Sequence, residues 1–338
     1  MSSSTSHVSG LQQVSKLWFE PEMVVIHAGD RIFRVLGAIL KQKSSVFADM
    51  FAFPQPLSDS DSEAENQTRP EMMDGVPVVT VYDDSTEMEV FLQAIYDSDF
   101  FMPHPKQIDL RRCLGILRLA HKYDVSYLRV RALEHLDAML PTSLPEFARR
   151  MPLRELRDHF TEANLNDMLR ILMAIIAVAT EVGALWFIPV VYSFLFYWLP
   201  DLSEIMADEV WLALEGGQRA TAVNGYIALS KQWHKVFSFL SVPSTEDDAE
   251  CADWADCNGK RLSARHFLDS TALFNQYPTA AMVCLHYSNL PKLCQHCLAE
   301  AKAIHETEMQ NCWDELPEIF ALPGWGELRQ MRIDALGL

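Results

Sequence analysis

Cysteine is the residue type in this 338-residue chain whose spacing is typical of a metal-binding site. Four of the seven cysteines form two pairs, Cys251-x5-Cys257 in an acidic polar stretch and Cys294-x2-Cys297 near the start of a predicted helix. Thiolates two residues apart at a helix start point at one ion, and the helix N-terminus stabilises their negative charge. We therefore predict a structural zinc site made of all four cysteines.

The spacing leaves two alternatives open. Cys-x5-Cys is looser than the usual zinc spacing, so His286 or His296 could supply the fourth ligand. Otherwise the four cysteines are ordinary thiols, two facing solvent and two buried. A catalytic zinc is not indicated, because no His-rich open site with a neighbouring general base is apparent.

No other pattern predicts catalysis, and we expect that the protein is not an enzyme and has no catalytic residues. The 11 histidines are scattered, and neither GxGxxG nor GxxxxGK[ST] occurs. No carboxylate pair lies in an apolar setting that would tune it for acid–base work. The alternative is an enzyme or ligand-binding protein with a pocket among the helices predicted over residues 164–240.

Composition restricts the partners and the compartment. Lys and Arg number 28 against 46 Asp and Glu, a formal net charge of −18, which disfavours binding to nucleic acid or to anionic membranes. The first ten residues lack the basic flank and apolar core of a secretory signal. An odd number of cysteines without such a signal is typical of a reducing compartment, so we expect an intracellular protein of the cytoplasm, the nucleus or both.

One stretch, residues 182–199, is uncharged over 18 residues and approaches the length of a membrane span. Pro189 near its centre and the absence of a flanking Lys/Arg cluster favour two buried core helices, broken near Ile188–Pro189. Its aromatic residues are accordingly predicted to be core. They are Trp186, Phe187, Tyr192, Phe194, Phe196, Tyr197 and Trp198.

Periodicity indicates an α+β domain over residues 17–141, after a disordered lead over residues 1–16. Two short strands flank Gly29, and two helical faces follow, the second capped by Ser44 or Ser45. An acidic flexible loop is predicted over residues 57–75, then a strand over residues 77–82. Three helices complete the domain, the first capped by Asp84 or Ser85.

Residues 142–338 are predicted to be all-α, with a zinc-stapled segment over residues 251–297. No strand signal follows Pro145, and residues 241–260 are predicted to be an acidic break. The helices expected here are Asn164–Leu185, Pro189–Leu199, Ser203–Leu214, Gln218–Leu240, Ser263–Phe274 and Leu290–Leu316.

Two motifs in the first half of the chain can be compared with a known family. Met23–Ile26, Phe33 and then Ile39–Phe51 are similar to a strand, a Phe and the pattern V-L-x-x-x-S-x-x-F-x-x-M-F. Leu117–Leu128 is similar to the helix–turn–helix pattern L-x-x-A-x-K-Y-x-V-x-x-L. Together they resemble the BTB/POZ domain, whose order of elements agrees with the order read from periodicity. Gly183–Pro189 and Trp313–Pro323 further resemble the companion region of mushroom-type fungal BTB proteins.

The resemblance implies a protein–protein adaptor or scaffold that forms a homodimer and binds other proteins. Recruitment of substrates to a cullin-type ubiquitin ligase and a role in transcriptional regulation are the specific versions that it allows. BTB domains dimerise through the N-terminal strand and first helix, and Trp18 and Phe19 could instead pack on their own domain. The implied interface residues are Trp18, Phe19, Met23, Leu36, Ile39 and Leu40.

Overall fold

The structure, a computed structural model, describes residues 14, 19, 22–52, 71–150, 165–198, 202–241, 250–270 and 292–338. These residues belong to two compact units, the first drawn from residues 1–102 and 118–129 and the second from residues 103–117 and 130–338. The units therefore interleave along the chain, whereas the sequence predicts a single boundary near residue 141.

The first unit is built on a four-stranded sheet with the order β2-β1-β4-β3. Strand β1 lies antiparallel to β2 and parallel to β4, and β3 lies antiparallel to β4. Three successive residues of β1, Val24 to Ile26, are buried, as expected for a central strand covered on both faces. The strands are β1 (Met23–Ala28), β2 (Arg31–Leu36), β3 (Met72–Met73) and β4 (Val76–Val81).

The predicted hairpin and the strand at 77–82 are confirmed, and one strand was missed. Gly29 adopts a φ of +55° at the hairpin turn, a conformation that glycine tolerates without a Cβ clash. Strand β3 lies inside the stretch 57–75 that the sequence predicts to be a flexible loop, so that prediction is wrong at its C-terminal end. Pairing with β4 forms this strand. Residues 57–70 of the predicted loop, and the predicted lead apart from residue 14, lie outside the described residues.

Helices complete the first unit, and both predicted N-caps are confirmed. The Ser44 Oγ accepts a hydrogen bond from the Phe47 N–H at 3.0 Å, and the Asp84 carboxylate accepts from the Thr86 and Glu87 N–H groups at 2.9 Å. The Phe47 ring stacks on Tyr123 with centroids 4.4 Å apart, so both resemblance motifs contribute to one core. The helices are α1 (Gly37–Lys43), α2 (Ser45–Ala52), α3 (Ser85–Tyr96) and parts of α4 (Leu110–Lys122) and α5 (Ser126–Met139).

All the regular secondary structure described in the second unit is helical, as predicted. It contains the remaining parts of α4 and α5, two 3-10 turns (Leu185–Phe187 and Ser238–Leu240) and a series of further helices. These are α6 (Leu144–Arg150), α7 (Leu165–Glu181), α8 (Ile188–Trp198), α9 (Ser203–Met206), α10 (Glu209–Ala213), α11 (Gly216–Val236), α12 (Trp254–Ser270), α13 (Gln295–Ile319) and α14 (Trp325–Leu336).

The uncharged stretch at 182–199 contains a 3-10 turn and one α-helix, α8, instead of the two predicted helices, because α7 already ends at Glu181. The chain leaves α7 at Gly183, whose φ of +74° ends the helix, and Pro189 stands near the start of α8. Pro189 ends no helix because a first helical turn does not need its N–H. Within the described ranges, no helix has the length and apolar character needed to cross a membrane.

Aromatic rings form the centre of the second unit. The Phe147 ring stacks on Phe194 at 5.3 Å and contacts Trp313 at 5.4 Å, and Trp313 stacks on Trp325 at 5.0 Å. The predicted aromatic core is confirmed for the five residues Trp186, Phe187, Tyr192, Phe194 and Phe196, which are buried. Tyr197 is half-buried, and the Trp198 side chain lies outside the described set.

The last helix is fixed to the second unit by a bidentate ion pair. The Arg332 guanidinium donates from Nε and from a terminal nitrogen to the two Asp137 carboxylate oxygens, at 2.5 and 2.7 Å. The two residues are 195 positions apart, so this contact ties α14 to α5.

Candidate metal centre

Helix α12 places one cysteine of the candidate site, and it begins earlier than the sequence predicts. The predicted break over 241–260 is wrong from residue 254 onward, and the predicted helix start at Ser263 is wrong, because the helix begins at Trp254 and includes Cys257. The Asp253 side chain accepts a hydrogen bond from the Asp256 N–H at 3.0 Å, and its carbonyl accepts from the Cys257 N–H at the same distance. Asp253 thus caps the helix.

Helix α13 places the second pair, and the prediction that this pair lies at a helix start is confirmed. Cys294 is the N-cap, and its Sγ accepts a hydrogen bond from the Cys297 N–H at 3.5 Å. The helix begins at Gln295 instead of the predicted Leu290, a residue outside the described part. Cys297 therefore lies in the first turn, where the partial positive charge of the helix stabilises thiolates.

The structure brings the Sγ atoms of all four predicted cysteines within 4.8 Å of one another. The Cys251 Sγ lies 3.4 Å from the Cys297 Sγ and 3.9 Å from the Cys294 Sγ. Sulfur atoms about 2.3 Å from a tetrahedral zinc would be separated by about 3.8 Å. All four are free thiols, since a disulfide would need sulfurs about 2.05 Å apart.

Backbone donors surround the sulfur atoms and change the acidity of the thiols. The N–H groups of Cys297 and Ala252 lower the pKa of the Cys294 thiol to about 6. The Cys294 N–H also lies 3.4 Å from the Cys257 Sγ. Burial raises the pKa of Cys251 and Cys257. Four sulfur ligands favour a soft or borderline ion, and these sulfur atoms lie close enough together to surround one.

The surroundings of the site contain charged residues that sequence reasoning did not identify. Arg261, one turn after Cys257 in α12, is only 2% exposed and donates to the Glu300 carboxylate at 2.8 Å. The sequence offered no signal for its burial, because the helix was predicted to begin only at Ser263. The alternative ligand His296 has its Nδ1 3.0 Å from the Glu250 carboxylate, and the four sulfurs form a complete set without it. His286 lies outside the described residues.

The other described cysteines, Cys113 and Cys312, are buried and lie outside the metal cluster. Burial raises the pKa of each thiol to about 12, so both are protonated at neutral pH. They are structural core residues and serve as natural controls for the four clustered cysteines.

The predicted interface residues of the first unit have unequal exposure. Phe19 is 45% exposed and Leu36 40% exposed, whereas Met23 and Ile39 are half-buried. Leu40 is buried inside the unit and is not part of its described surface. Trp18 lies outside the described residues.

An apolar groove of about 520 Å³ runs beside the edge strand of the first unit. It is formed by Met23 and by residues of β2 and α3. Strand β2 pairs on one side only among the described strands, with β1, and it also exposes Ile32, at 53%. Sequence reasoning identified Met23 and Leu36 of this groove and missed its other apolar residues, Phe33, Val35, Leu92 and Tyr96.

No family model, curated protein or solved structure matches this chain. Membership of the BTB/POZ family therefore stays a prediction.

Proposed function

We propose that the protein is an adaptor that binds other proteins, including a second copy of itself, through a BTB/POZ-type first unit. The observation that carries this proposal is the apolar groove beside the exposed edge of β2. The order of strands and helices supports it, as does the stacking of Phe47 on Tyr123. In this proposal the protein works inside the cell without catalysis.

The groove suits an extended segment that adds to the sheet. An edge strand presents unpaired backbone N–H and C=O groups, and the neighbouring pocket accepts apolar side chains. Leu36 lines it and is 40% exposed, and Ile32 of the same strand is 53% exposed, so binding along β2 would remove apolar surface from water.

The occupant that we propose is the N-terminal segment of a second copy, with Trp18 and Phe19 as anchors. This segment joins the described chain at Glu22, immediately before the groove residue Met23. Phe19 is 45% exposed in the single chain, so its ring is available to a partner. Large aromatic residues are also the commonest energetic anchors of protein interfaces.

Analytical ultracentrifugation of the full chain at micromolar concentrations tests this proposal. We expect a dimer for the wild type and a monomer for Leu36→Glu, because the carboxylate would be buried in the groove. Leu212→Glu is the matched control, since Leu212 is 57% exposed on α10 of the second unit, and it should remain dimeric. A monomeric wild type, or a Leu36→Glu dimer of unchanged affinity, would contradict the self-association proposed here.

The adaptor would recruit substrates to a cullin-type ubiquitin ligase or act with transcriptional regulators. Retention of the full chain on an immobilised cullin N-terminal domain at micromolar concentrations supports the first version. Absence of retention removes it and leaves the self-association test unaffected.

We further propose that Cys251, Cys257, Cys294 and Cys297 bind one structural zinc ion. Four thiolates complete a tetrahedral shell and leave no open position for substrate, as in structural sites. The ion would hold the loop before α12, the first turn of α12 and the start of α13 together.

Native mass spectrometry of the purified chain, with and without added Zn²⁺, tests the metal proposal. We expect one zinc per chain for the wild type, and loss of that zinc in Cys294→Ser. Cys312→Ala is the matched control, because Cys312 is a buried thiol outside the cluster, and it should keep the metal. A metal-free wild type at saturating Zn²⁺ would show that the four cysteines are ordinary thiols.

A further inference from the structure

Arg261 occupies an unusual position for a charged side chain. It is 2% exposed in α12, one turn after Cys257 and on the same face of the helix. A guanidinium remains charged at all ordinary pH values, and its burial is unfavourable by several kcal/mol unless acceptors compensate for the lost water.

Two of its acceptors belong to the other helix of the metal cluster. One terminal nitrogen of Arg261 donates to the Glu300 carboxylate at 2.8 Å and lies 3.4 Å from the Cys297 backbone carbonyl. Cys297 is itself one of the four clustered cysteines, and Glu300 follows it by less than one turn of α13. The guanidinium therefore links the helix that carries Cys257 to the turn that carries the Cys294 and Cys297 thiols.

We infer that Arg261 is a positioning residue of the metal centre, which holds the Cys257 thiolate against the other helix before the ion binds. This inference rests on the proposed zinc site. Without the link, zinc binding itself would have to order the two helices, and part of its binding free energy would be lost. The positive charge also favours the doubly negative complex of Zn²⁺ with four thiolates.

Competition between the whole 338-residue chain and a chromogenic chelator for Zn²⁺ measures the effect. We expect Arg261→Met to weaken zinc binding by roughly 10- to 100-fold, the usual range for residues that orient metal ligands. Arg261→Lys should recover only part of the affinity, because a single ammonium cannot reproduce the planar guanidinium. Glu300→Gln, at a 39% exposed side chain, should fold and should weaken binding to a smaller extent.

Arg265 supplies the matched control, one turn further along α12. Its side chain pairs with Asp269 at 3.1 Å, donates to the Ser241 hydroxyl and lies over the Trp233 ring, away from the cluster. Arg265→Met should therefore leave zinc affinity unchanged. Equal weakening by Arg261→Met and Arg265→Met would overturn the inference, because it would reflect a general loss of helix stability.

Thermal unfolding with and without Zn²⁺ separates positioning from simple stabilisation. A positioning residue predicts that Arg261→Met shrinks the rise in Tm that zinc produces, whereas a purely structural residue lowers both midpoints equally. If Arg261→Met does not fold, Glu300→Gln decides: zinc affinity equal to that of the wild type overturns the inference. If the wild type itself binds no zinc, the proposed metal site is refuted. If the wild type binds zinc and the variants bind it equally well, only the role of Arg261 is refuted.

Discussion

Gly225 in α11 faces the ring of Phe320, and we predict that Gly225→Ala destabilises the second unit. A Cβ at this position would lie 2.3 Å from the Phe320 Cε1 and 2.6 Å from the Cδ1. Unbonded carbon atoms are normally about 3.5–4.0 Å apart, so the ring would have to move by more than about 1 Å. Phe320 is only 1% exposed and stacks on Tyr192 at 4.6 Å, so moving the ring would disturb its packing.

Two opposing effects determine the size of the change. In an exposed helix interior, replacing glycine with alanine raises stability by about 1 kcal/mol, because the unfolded chain loses conformational freedom. Overpacking of a filled core lowers it by about 1–3 kcal/mol, and a contact of 2.3 Å calls for the upper part of this range. We therefore expect the free energy of unfolding to fall by about 1–2 kcal/mol.

Urea denaturation followed by circular dichroism measures this change. Gly217→Ala is the matched control in the same helix, because no atom lies within 4 Å of its added Cβ, and it should be neutral or stabilising. Phe320→Leu in the Gly225→Ala background should recover part of the loss, as a double-mutant cycle would show. A Gly225→Ala protein as stable as Gly217→Ala would refute the packing argument.

Three further predictions concern charged and titrating groups. Arg332→Ala should lower the free energy of unfolding by about 1.5–3 kcal/mol, because it removes the bidentate pair with Asp137. Adding Asp137→Ala to this variant should cause little further loss. Additive losses of the two substitutions in chemical denaturation would argue against the pairing. Burial lowers the pKa of His305 below 6.5, so protonation of this histidine opposes folding. The stability that neutral His305 contributes is therefore complete above pH 6.5 and declines as the pH falls below that value. The difference in thermal midpoint between wild type and His305→Leu should therefore change between pH 7 and pH 5, and a constant difference would exclude this role. A hydrogen bond from Lys235 lowers the pKa of Glu315 below 4.5, so its contribution is present above pH 4.5 and is lost as the pH falls through the lower folded pKa; Glu315→Gln should flatten the acid limb of a pH–stability curve, and an unchanged limb would contradict this.

Features encoded within a few neighbouring residues could be predicted from the sequence. The hairpin follows from two runs rich in β-branched residues around Gly29, and the caps Ser44 and Asp84 follow from short polar side chains before apolar periodicity. The helix start at Cys294-x2-Cys297 could also be predicted, because this spacing is typical of a metal-binding helix start and Cys294 is the N-cap.

Features that depend on distant partners could not be predicted in this way. Helix α12 has few apolar residues and contains Gly259, so periodicity placed its start too late although Asp253 was available as a cap. Strand β3 exists through its pairing with β4, which local composition does not encode. The role of Arg261 depends on Glu300 and Cys297 of another helix, and a single arginine in a helix has no sequence signature for burial.

The spacing of the cysteines along the chain has an entropic consequence. Cys251 and Cys297 are 46 positions apart, so one bound ion would close a long loop, much as a disulfide does. Closing a loop of this length removes about 4 kcal/mol of conformational entropy from the unfolded chain in the polymer model of cross-links. Unlike a disulfide, this cross-link could be removed by a chelator without a reductant. The cost of closure also grows slowly with length, by about 0.6 kcal/mol per doubling, so the chain between Cys257 and Cys294 could lengthen considerably while the metal keeps these two cysteines together.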